Sequence, residues 1–341
     1  MRDIEKLQGT WRVADARRQR AGGPAAGKRF AVVRARCSPT VVQPESIVAT
    51  LCLMAGLALS ACAGDGASGE TPALPRGLLP PSTSNADARP PAVPFDSATP
   101  RVIARAVRTW PHDTGAYTQG LLLYRGRLLE SVGGEGSSDL RDVNRETGAA
   151  RKRTPLPATD FGEGIAALGD RLYQLTWRGG RGYIYKTATL ARIDSFTYAG
   201  EGWGLTSDGR RLYLSDGTSQ LRVIDSNGFR VERTFQVREG GQPVWMLNEL
   251  EWVRGELWAN VYQTDLVARI DPTTGHVVSW IDLKNLLTAA ERQDVTTRGG
   301  VANGIAFDSV RNRLYVTGKL WPRLFEIDVA SVTRSSSRPR P

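Results

Sequence analysis

Short runs of alternating hydrophobic and polar residues, separated by turns rich in Gly, Asp and Asn, fill the chain from about residue 100 onward. Five segments share one pattern, in which an apolar run, a polar turn and a second run built on Arg-Leu-Tyr or a variant follow one another. This pattern predicts two antiparallel strands in each segment. The segments are QGLLLYRGRLLESVG from Gln119, EGIAALGDRLYQLTW from Glu163, WGLTSDGRRLYLSDG from Trp203, NELEWVRGELWANVY from Asn248 and NGIAFDSVRNRLYVTGK from Asn303.

The spacing of these segments predicts the fold. They start 44, 40, 45 and 55 residues apart, and further predicted strands lie between them. Four short antiparallel strands in about forty residues are typical of one blade of a β-propeller, so we predict an all-β, five-bladed β-propeller. The last unit has only three predicted strands, at Gly304–Phe307, Arg313–Gly318 and Leu324–Val329. We expect Arg101–Trp110 to supply its outer strand and close the ring, which removes exposed sheet edges.

The start of the first strand and the end of the second should meet on one rim of the ring. The two sets of rim positions hold one carboxylate, one ammonium, amides and large aromatic rings, which together predict a pocket, although ordinary loop residues are the alternative. Glu163 in the stretch FGEG is the single carboxylate, and we expect its flanking glycines to give a substrate access to it. The starts are Gln119, Glu163, Trp203, Asn248 and Asn303, and the ends are Gly133, Trp177, Gly217, Tyr262 and Lys319.

Composition excludes several classes of site in the propeller. The net charge is +10, but residues 1–61 carry +6 of it, so the basic balance does not predict nucleic-acid binding by the folded part. Cys37, Cys52 and Cys62 all precede the propeller, and the chain has 2 histidines, His112 and His276. Disulfides and thiolate or histidine-rich metal sites are therefore not expected there.

The N-terminal region reads as an export signal. Fifteen uncharged residues precede Cys62, and the ending Leu59-Ser60-Ala61-Cys62 resembles a bacterial lipobox, in which the cysteine takes the lipid. An ordinary secretory signal is the alternative. We expect a signal region at 1–61, a Pro/Ala/Ser-rich tether at 62–99, the propeller at 100–331 and a disordered tail at 332–341. The length of the signal region indicates either a start site assigned too far upstream or an unusually long n-region. The expected location is the periplasm, anchored to a membrane, with the outer membrane favoured.

Several stretches of the propeller resemble the plant and bacterial glutaminyl-peptide cyclotransferases (glutamine cyclotransferases), a five-bladed propeller family. They are WPHDTGAYTQGL, FGEGI, LTW, EGWGLTSDG, NELEWVRGELWANVYQTDLVARIDP and NGIAFD…RLYVTGKLWP. The resemblance covers about Val102 to Val329. It implies site residues at Tyr117, Gln119, Phe161, Glu163, Trp177, Trp203, Asn248 and Lys319. Two positions depart from the family pattern: Tyr117 replaces the common Phe, and Tyr262 replaces the usual Trp.

The resemblance implies cyclisation of an N-terminal glutamine to pyroglutamate with release of ammonia. We expect Glu163 to act as general base and then general acid, and Lys319 and Asn248 to stabilise the γ-carbonyl oxygen, with Gln119 as a further donor. The aromatic residues should form the substrate slot. A salt bridge from Lys319 to Glu163 is the competing role for the lysine. No cofactor is expected for catalysis, and a structural calcium ion stays open.

Two other functions stay open at this point. A non-catalytic propeller could bind peptides or envelope components on the same rim, although a binding module gives no reason for an acid and an ammonium among tryptophans. A different propeller enzyme, such as a lyase or a quinoprotein, would need metal-binding histidines or cofactor-stacking motifs. The expected partners are peptides or proteins with an N-terminal glutamine and, through Cys62, a membrane. We expect no nucleic acid and a monomer.

Overall fold

The computed structural model describes residues 98–329. Within them lie 23 strands and one short helix, so the all-β prediction is confirmed. The predicted signal region, the lipidation site Cys62, most of the tether and the C-terminal tail lie outside the described residues. The described residues contain no helix that is both long enough and apolar enough to cross a membrane.

Two strands precede the first blade. β1 (Arg101–Ile103) pairs in parallel with the outer strand of the fourth blade, and β2 (Arg105–Pro111) pairs antiparallel with the third strand of the fifth blade. The stretch Arg101–Trp110 is therefore not one strand. It divides at Ala104, because the Ala104 N–H and the Arg101 guanidinium both donate to Asp282 of the fourth blade, at 2.9 and 2.7 Å, and hold β1 there. Only β2 joins the fifth blade.

The first three blades are four-stranded antiparallel sheets whose strands pair in chain order. The first contains β3 (Thr118–Tyr124), β4 (Arg127–Val132), β5 (Asp139–Val143) and β6 (Ala150–Pro155). The second contains β7 (Gly162–Leu168), β8 (Arg171–Thr176), β9 (Arg181–Lys186) and β10 (Arg192–Thr197). The third contains β11 (Leu205–Ser207), β12 (Leu212–Leu214), β13 (Gln220–Asp225) and β14 (Arg230–Gln236). A small hairpin follows, formed by β15 (Arg238–Glu239) and β16 (Gln242–Pro243).

The last two blades take in the N-terminal strands. The fourth contains β17 (Leu247–Val253), β18 (Glu256–Val261), β19 (Leu266–Ile270) and β20 (Val277–Asp282), with β1 outside β20. The fifth contains β21 (Ala302–Asp308), β22 (Arg313–Gly318) and β23 (Arg323–Asp328), with β2 as its outer strand. The connection between them carries α1 (Ala289–Thr297), which begins with a capping box of Thr288 and Glu291. This helix accounts for the longer last interval between the repeats.

The inner strands approach one another closely enough to require glycine. The Gly164 N–H donates to Trp203 O of the next blade at 2.7 Å, and a Cβ on Gly164 would lie 2.5 Å from Leu205 N. A Cβ on Gly162 would lie 3.1 Å from Gln174 Nε2. The expectation that these glycines give a substrate access to Glu163 is therefore wrong. Both glycines lie against protein atoms, and Gly164 allows neighbouring blades to pack.

Candidate active site

A small cavity lies where the inner strands begin. Every residue that lines it was predicted as a site residue, and the lining residues are Gln119, Glu163, Trp177, Trp203, Asn248, Tyr262 and Lys319. The other two predicted residues, Tyr117 and Phe161, pack behind this lining in the same cluster of buried rings. Their ring centroids are 6.4 Å apart, and Phe161 in turn lies 5.9 Å from the Trp177 ring.

Glu163 is the acid of the cavity. It lies near the start of β7 with 3% of its surface exposed, and its Oε1 accepts a hydrogen bond from Gln119 Nε2 at 3.1 Å. Burial raises the pKa of Glu163 well above its usual value, because an ionised carboxylate is poorly solvated there. Lys319 opposes this shift and Glu201 adds to it. A carboxyl group with a raised pKa binds a proton more readily than an exposed one, which suits it to accept a proton and return it.

Lys319 follows directly after β22, where its N–H donates to Val301 O at 2.8 Å. The side chain is 2% exposed, and Nζ lies 4.7 Å from the ring centroid of Tyr117 and 5.0 Å from that of Tyr262. Burial lowers the pKa of Lys319 to about 8, although Glu163 acts in the other direction. Among the described residues, no carboxylate oxygen lies within 4.0 Å of this ammonium. The alternative role as a salt-bridge partner of Glu163 is therefore not seen in this structure.

Two amide oxygens of the cavity lining, Gln119 Oε1 and Asn248 Oδ1, are buried without a hydrogen-bond partner among the described residues. Leaving such an atom unsatisfied costs about 1–3 kcal/mol, so a bound molecule that supplies the missing partners gains affinity. Asn248 is only 2% exposed. Its amide therefore lies in the wall of the cavity and has free hydrogen-bonding capacity.

Aromatic rings form the remaining walls, and glycines at the rim leave space for them. Trp203 packs edge-on against Tyr262 with centroids 5.7 Å apart. A Cβ on Gly217 would lie 2.6 Å from the Trp203 ring, and a Cβ on Gly133 would overlap the Phe161 ring. Two of the five positions at the ends of the second strands are therefore glycine because a neighbouring aromatic ring covers them.

The sequence reasoning missed Glu201. Its Oε2 accepts hydrogen bonds from the indole N–H groups of both Trp177, at 2.8 Å, and Trp203, at 3.0 Å. The repeats contain a signal that could have found it. Glu201 lies two residues before the strand-start position of its unit, as Tyr117 lies before Gln119 and Phe161 before Glu163.

The described residues contain no group of three or more His, Cys, Asp or Glu side chains arranged to hold a metal ion. This observation concerns side-chain ligands and does not test the expectation about a structural calcium ion, which backbone oxygens can also bind. His112 is buried outside the cavity, where its ring nitrogens contact Glu130 and Trp321 O.

Fold and site together define a five-bladed propeller enzyme with a buried acid and a buried ammonium among aromatic rings. Residues 80–329 match the sequence profile of the glutamine cyclotransferase family, and the chain belongs to that family. It is 42% identical over 234 residues to the glutaminyl-peptide cyclotransferase of Arabidopsis thaliana, covering 67% of this chain and 72% of the relative. The crystal structure of Myxococcus xanthus glutaminyl cyclase matches with a TM-score of 0.64 and 39% identity, covering 67% of this chain and 97% of that one.

Proposed function

We propose that this protein is a glutaminyl-peptide cyclotransferase that converts an N-terminal glutamine to pyroglutamate. The α-amine nitrogen attacks the Cδ carbonyl carbon of the same residue, the new N–C bond closes a five-membered lactam, and the bond to the side-chain nitrogen breaks to release ammonia. Family membership supports the reaction. The observation that carries it on this chain is the buried Glu163, which lines the same cavity as three aromatic rings and Lys319. Burial raises its pKa, and it forms no salt bridge with Lys319.

Glu163 acts as general base and then as general acid in this proposal. Its carboxylate takes a proton from the attacking α-amine and delivers it to the departing nitrogen, which leaves as ammonia. Both nitrogens belong to one small residue, so one carboxyl group can serve both steps. The rise brings the pKa of Glu163 closer to that of an α-amine, about 7.7–8.0. Similar pKa values allow efficient proton transfer in both directions.

The γ-carbonyl oxygen gains negative charge when the amine attacks, and Lys319 and Asn248 are the proposed donors to it. An ammonium ion in a nonpolar cavity stabilises such charge more strongly than it would in water. Gln119 holds Glu163 through its amide N–H and offers its free Oε1 to the substrate. The intramolecular reaction already has its nucleophile in place, so the protein contributes orientation and charge stabilisation.

The aromatic walls would enclose the glutamine side chain and exclude water, which would otherwise hydrolyse the amide to glutamate. Trp177, Trp203 and Tyr262 line the cavity directly, while Tyr117 and Phe161 support them from behind. Tyr262 is smaller than the tryptophan usual in the family. We therefore expect it to leave more room beside the substrate.

The test is ammonia release from a glutamine-initiated dipeptide by residues 63–341 of the chain, with Glu163→Gln as the comparison. We expect steady release by the wild type and a loss of about 10²–10⁴-fold in the variant, the usual contribution of general acid–base catalysis. A wild-type protein that binds the dipeptide without releasing ammonia would establish the alternative, a peptide-binding propeller. Full activity in the variant would remove Glu163 from the mechanism.

We propose that catalysis requires no metal or other cofactor, since the residues named above supply the acid, the base and the oxyanion donors. Activity measured after dialysis against a chelator should equal the untreated activity. A loss that added calcium restores would show that an ion is needed.

We also propose that the protein works as an exported, lipid-anchored monomer on peptides or proteins with an N-terminal glutamine. The motif ending at Cys62 supports the anchor. Cys62→Ser should move the full-length protein from the membrane fraction to the soluble periplasmic fraction, and light scattering on the propeller should give the mass of one chain. Membrane association that survives the substitution would contradict the lipid anchor.

A further inference from the structure

One carboxylate joins two walls of the cavity. Trp177, at the end of β8 in the second blade, and Trp203, before β11 in the third, both point their indole N–H groups at Glu201 Oε2, at 2.8 and 3.0 Å. Both rings line the cavity. The glutamate itself lies in the connection between these blades and does not line the cavity. Its bonds therefore fix the position of each ring relative to the other.

The other oxygen of this carboxylate and the backbone around it are also held. Glu201 Oε1 accepts from Arg178 Nε at 3.1 Å, and the Arg178 guanidinium carbon lies 3.9 Å from the Trp177 ring centroid. Arg222 Nη2 donates to the backbone oxygen of Glu201 at 2.8 Å, and its Nη1 donates to Ala199 O at 2.6 Å. The carboxylate is thus oriented from two sides before any ligand binds.

The repeats show that this arrangement is specific to the third blade. In the other four units, the backbone N–H at the end of the second strand donates to the backbone oxygen of the residue two positions before the strand start. In the third blade, Gly217 N–H instead donates to Leu247 O at 3.2 Å. The position that Tyr117 and Phe161 occupy in the first two units is therefore occupied by Glu201 in the third. The Glu201 side chain connects the two walls of the cavity that Trp177 and Trp203 form.

We propose that Glu201 is a positioning residue that sets the width of the substrate slot by fixing the Trp177 and Trp203 rings. This role rests on the proposed function, since the slot is the one that receives the N-terminal glutamine. A misplacement of reacting groups by about 1 Å can cost on the order of 10²-fold in rate, so the distance between two walls is a sensitive variable. Glu201 does not take part in proton transfer.

Glu201 has a second, electrostatic effect on the same site. Its negative charge adds to the rise in the pKa of Glu163. Replacing it by glutamine keeps a side-chain oxygen with two lone pairs for the two indole N–H groups but removes the charge. Replacing it by alanine removes both. The two substitutions therefore separate the position of the walls from the charge.

The experiment measures kcat and KM for a glutamine-initiated dipeptide across pH in wild type, Glu201→Ala and Glu201→Gln. We expect Glu201→Ala to lower kcat/KM by about 10–100-fold, with a raised KM, since the slot no longer holds the side chain. Glu201→Gln should recover most of this loss, and the acidic limb of its kcat/KM profile should move to lower pH because the pKa of Glu163 falls.

Glu146 offers a matched control. Its Oε2 accepts from the Trp110 indole N–H at 2.9 Å, and its Oε1 pairs with Arg145, whose guanidinium carbon lies 5.0 Å from the Trp110 ring centroid. The chemistry is the same, but none of these residues lines the cavity. Glu146→Ala should leave kcat, KM and the pH profile unchanged. Thermal unfolding of each variant confirms that the comparison is made on folded protein.

Wild-type kinetics in Glu201→Ala would overturn the inference, and so would equal losses in Glu201→Ala and Glu201→Gln. A readout without activity keeps it testable if the proposed function fails. The tryptophan band of the near-UV circular dichroism spectrum should weaken in Glu201→Ala and be kept in Glu201→Gln. If wild type releases no ammonia but this spectral difference appears, the function fails and the positioning role stands. An unchanged spectrum in Glu201→Ala would overturn the role.

Discussion

The Gln119 amide nitrogen donates a hydrogen bond to Glu163 Oε1 at 3.1 Å, and this bond joins the inner strands of the first two blades inside the cavity. It aims the carboxylate, which has no other hydrogen bond within the described residues. We expect Gln119→Ala to lower kcat by about 10–100-fold, because a carboxylate free to rotate is less often aligned with the reacting nitrogen. Steady-state ammonia release measures this directly.

Gln174 provides the control for that substitution. It is also a fully buried glutamine and lies in β8 of the second blade. Its amide donates to Ser131 Oγ and accepts from the Tyr185 hydroxyl, both at 2.8 Å. Gln174→Ala should lower the free energy of unfolding by about 1–3 kcal/mol and leave kcat within about twofold. If both variants lose activity equally, the loss of activity comes from disturbed packing and not from a change in the orientation of the Glu163 carboxylate.

The pH dependence of kcat should reflect the titration of Lys319. Burial lowers its pKa to about 8, so the ammonium loses its proton at a lower pH than an exposed lysine does. A donor that must be charged works below this pKa and fails above it, and kcat should therefore decline as the pH rises through about 8. In Lys319→Arg, the side chain keeps its charge at every accessible pH, so the alkaline decline should disappear even if the maximum rate falls.

Lys284→Arg serves as the comparison, since Lys284 is an exposed lysine that pairs with Asp282 at 3.6 Å and lies outside the cavity. Its pH profile should match that of the wild type. An alkaline decline that persists in Lys319→Arg would assign it to another group and would weaken the proposed role of the ammonium.

Gly164 should be the least replaceable glycine beside the acid. A Cβ there would lie 2.5 Å from Leu205 N and 2.7 Å from Trp203 O, both backbone atoms that cannot move independently. We expect Gly164→Ala to lower the free energy of unfolding by about 1–3 kcal/mol, in the range of other overpacked sites, or to prevent folding. Chemical denaturation measures the change.

A suitable control is Gly115→Ala, because a Cβ at Gly115 would meet only the Asp113 side chain, at 3.3 Å. That substitution should change the stability by less than about 0.5 kcal/mol. A Gly164→Ala protein as stable as the control would mean that the blades can separate slightly at no cost.

The architecture and most of the site could be predicted because they repeat. In each blade an alternating run, a polar turn and a second run built on Arg-Leu-Tyr or a variant mark the first two strands, so one register places Glu163, Asn248 and Lys319 on a common rim. The structure places these three side chains in one cavity. Their proximity follows from the symmetry of the fold and needs no knowledge of individual contacts.

What could not be predicted depends on contacts that break the repeat. β1 pairs with the fourth blade because of Asp282, whose partners are far away in sequence. Glu249 stands where the other four units have glycine, and its carboxyl group accepts from Leu121 N at 3.2 Å and Ile305 N at 2.9 Å, joining two other blades. A buried acidic side chain interrupts the hydrophobic pattern of the strand, and it is explained only by the backbone N–H groups that surround it in the fold.

The buried pair of His112 and Glu130 should make stability depend on pH in a defined window. His112 Nδ1 lies 2.8 Å from Trp321 O and Nε2 lies 3.0 Å from Glu130 Oε1, so only the protonated ring, which donates from both nitrogens, satisfies both acceptors. Burial opposes the charge, but Glu130 and the carbonyl raise the pKa of His112 above 6.5, while the pKa of Glu130 is lowered. The stabilisation from His112 is fully present below pH 6.5 and is lost as the pH rises through the folded-state pKa of the histidine. The stabilisation from Glu130 is present above pH 4.5 and is lost as the pH falls through the folded-state pKa of the glutamate.

His112→Gln should lower the free energy of unfolding by about 3–5 kcal/mol near pH 6 and by less at pH 9. Denaturation at both pH values tests this, with His276→Gln, an exposed histidine, as the control; an equal loss at the two pH values would show that the ring is held neutral.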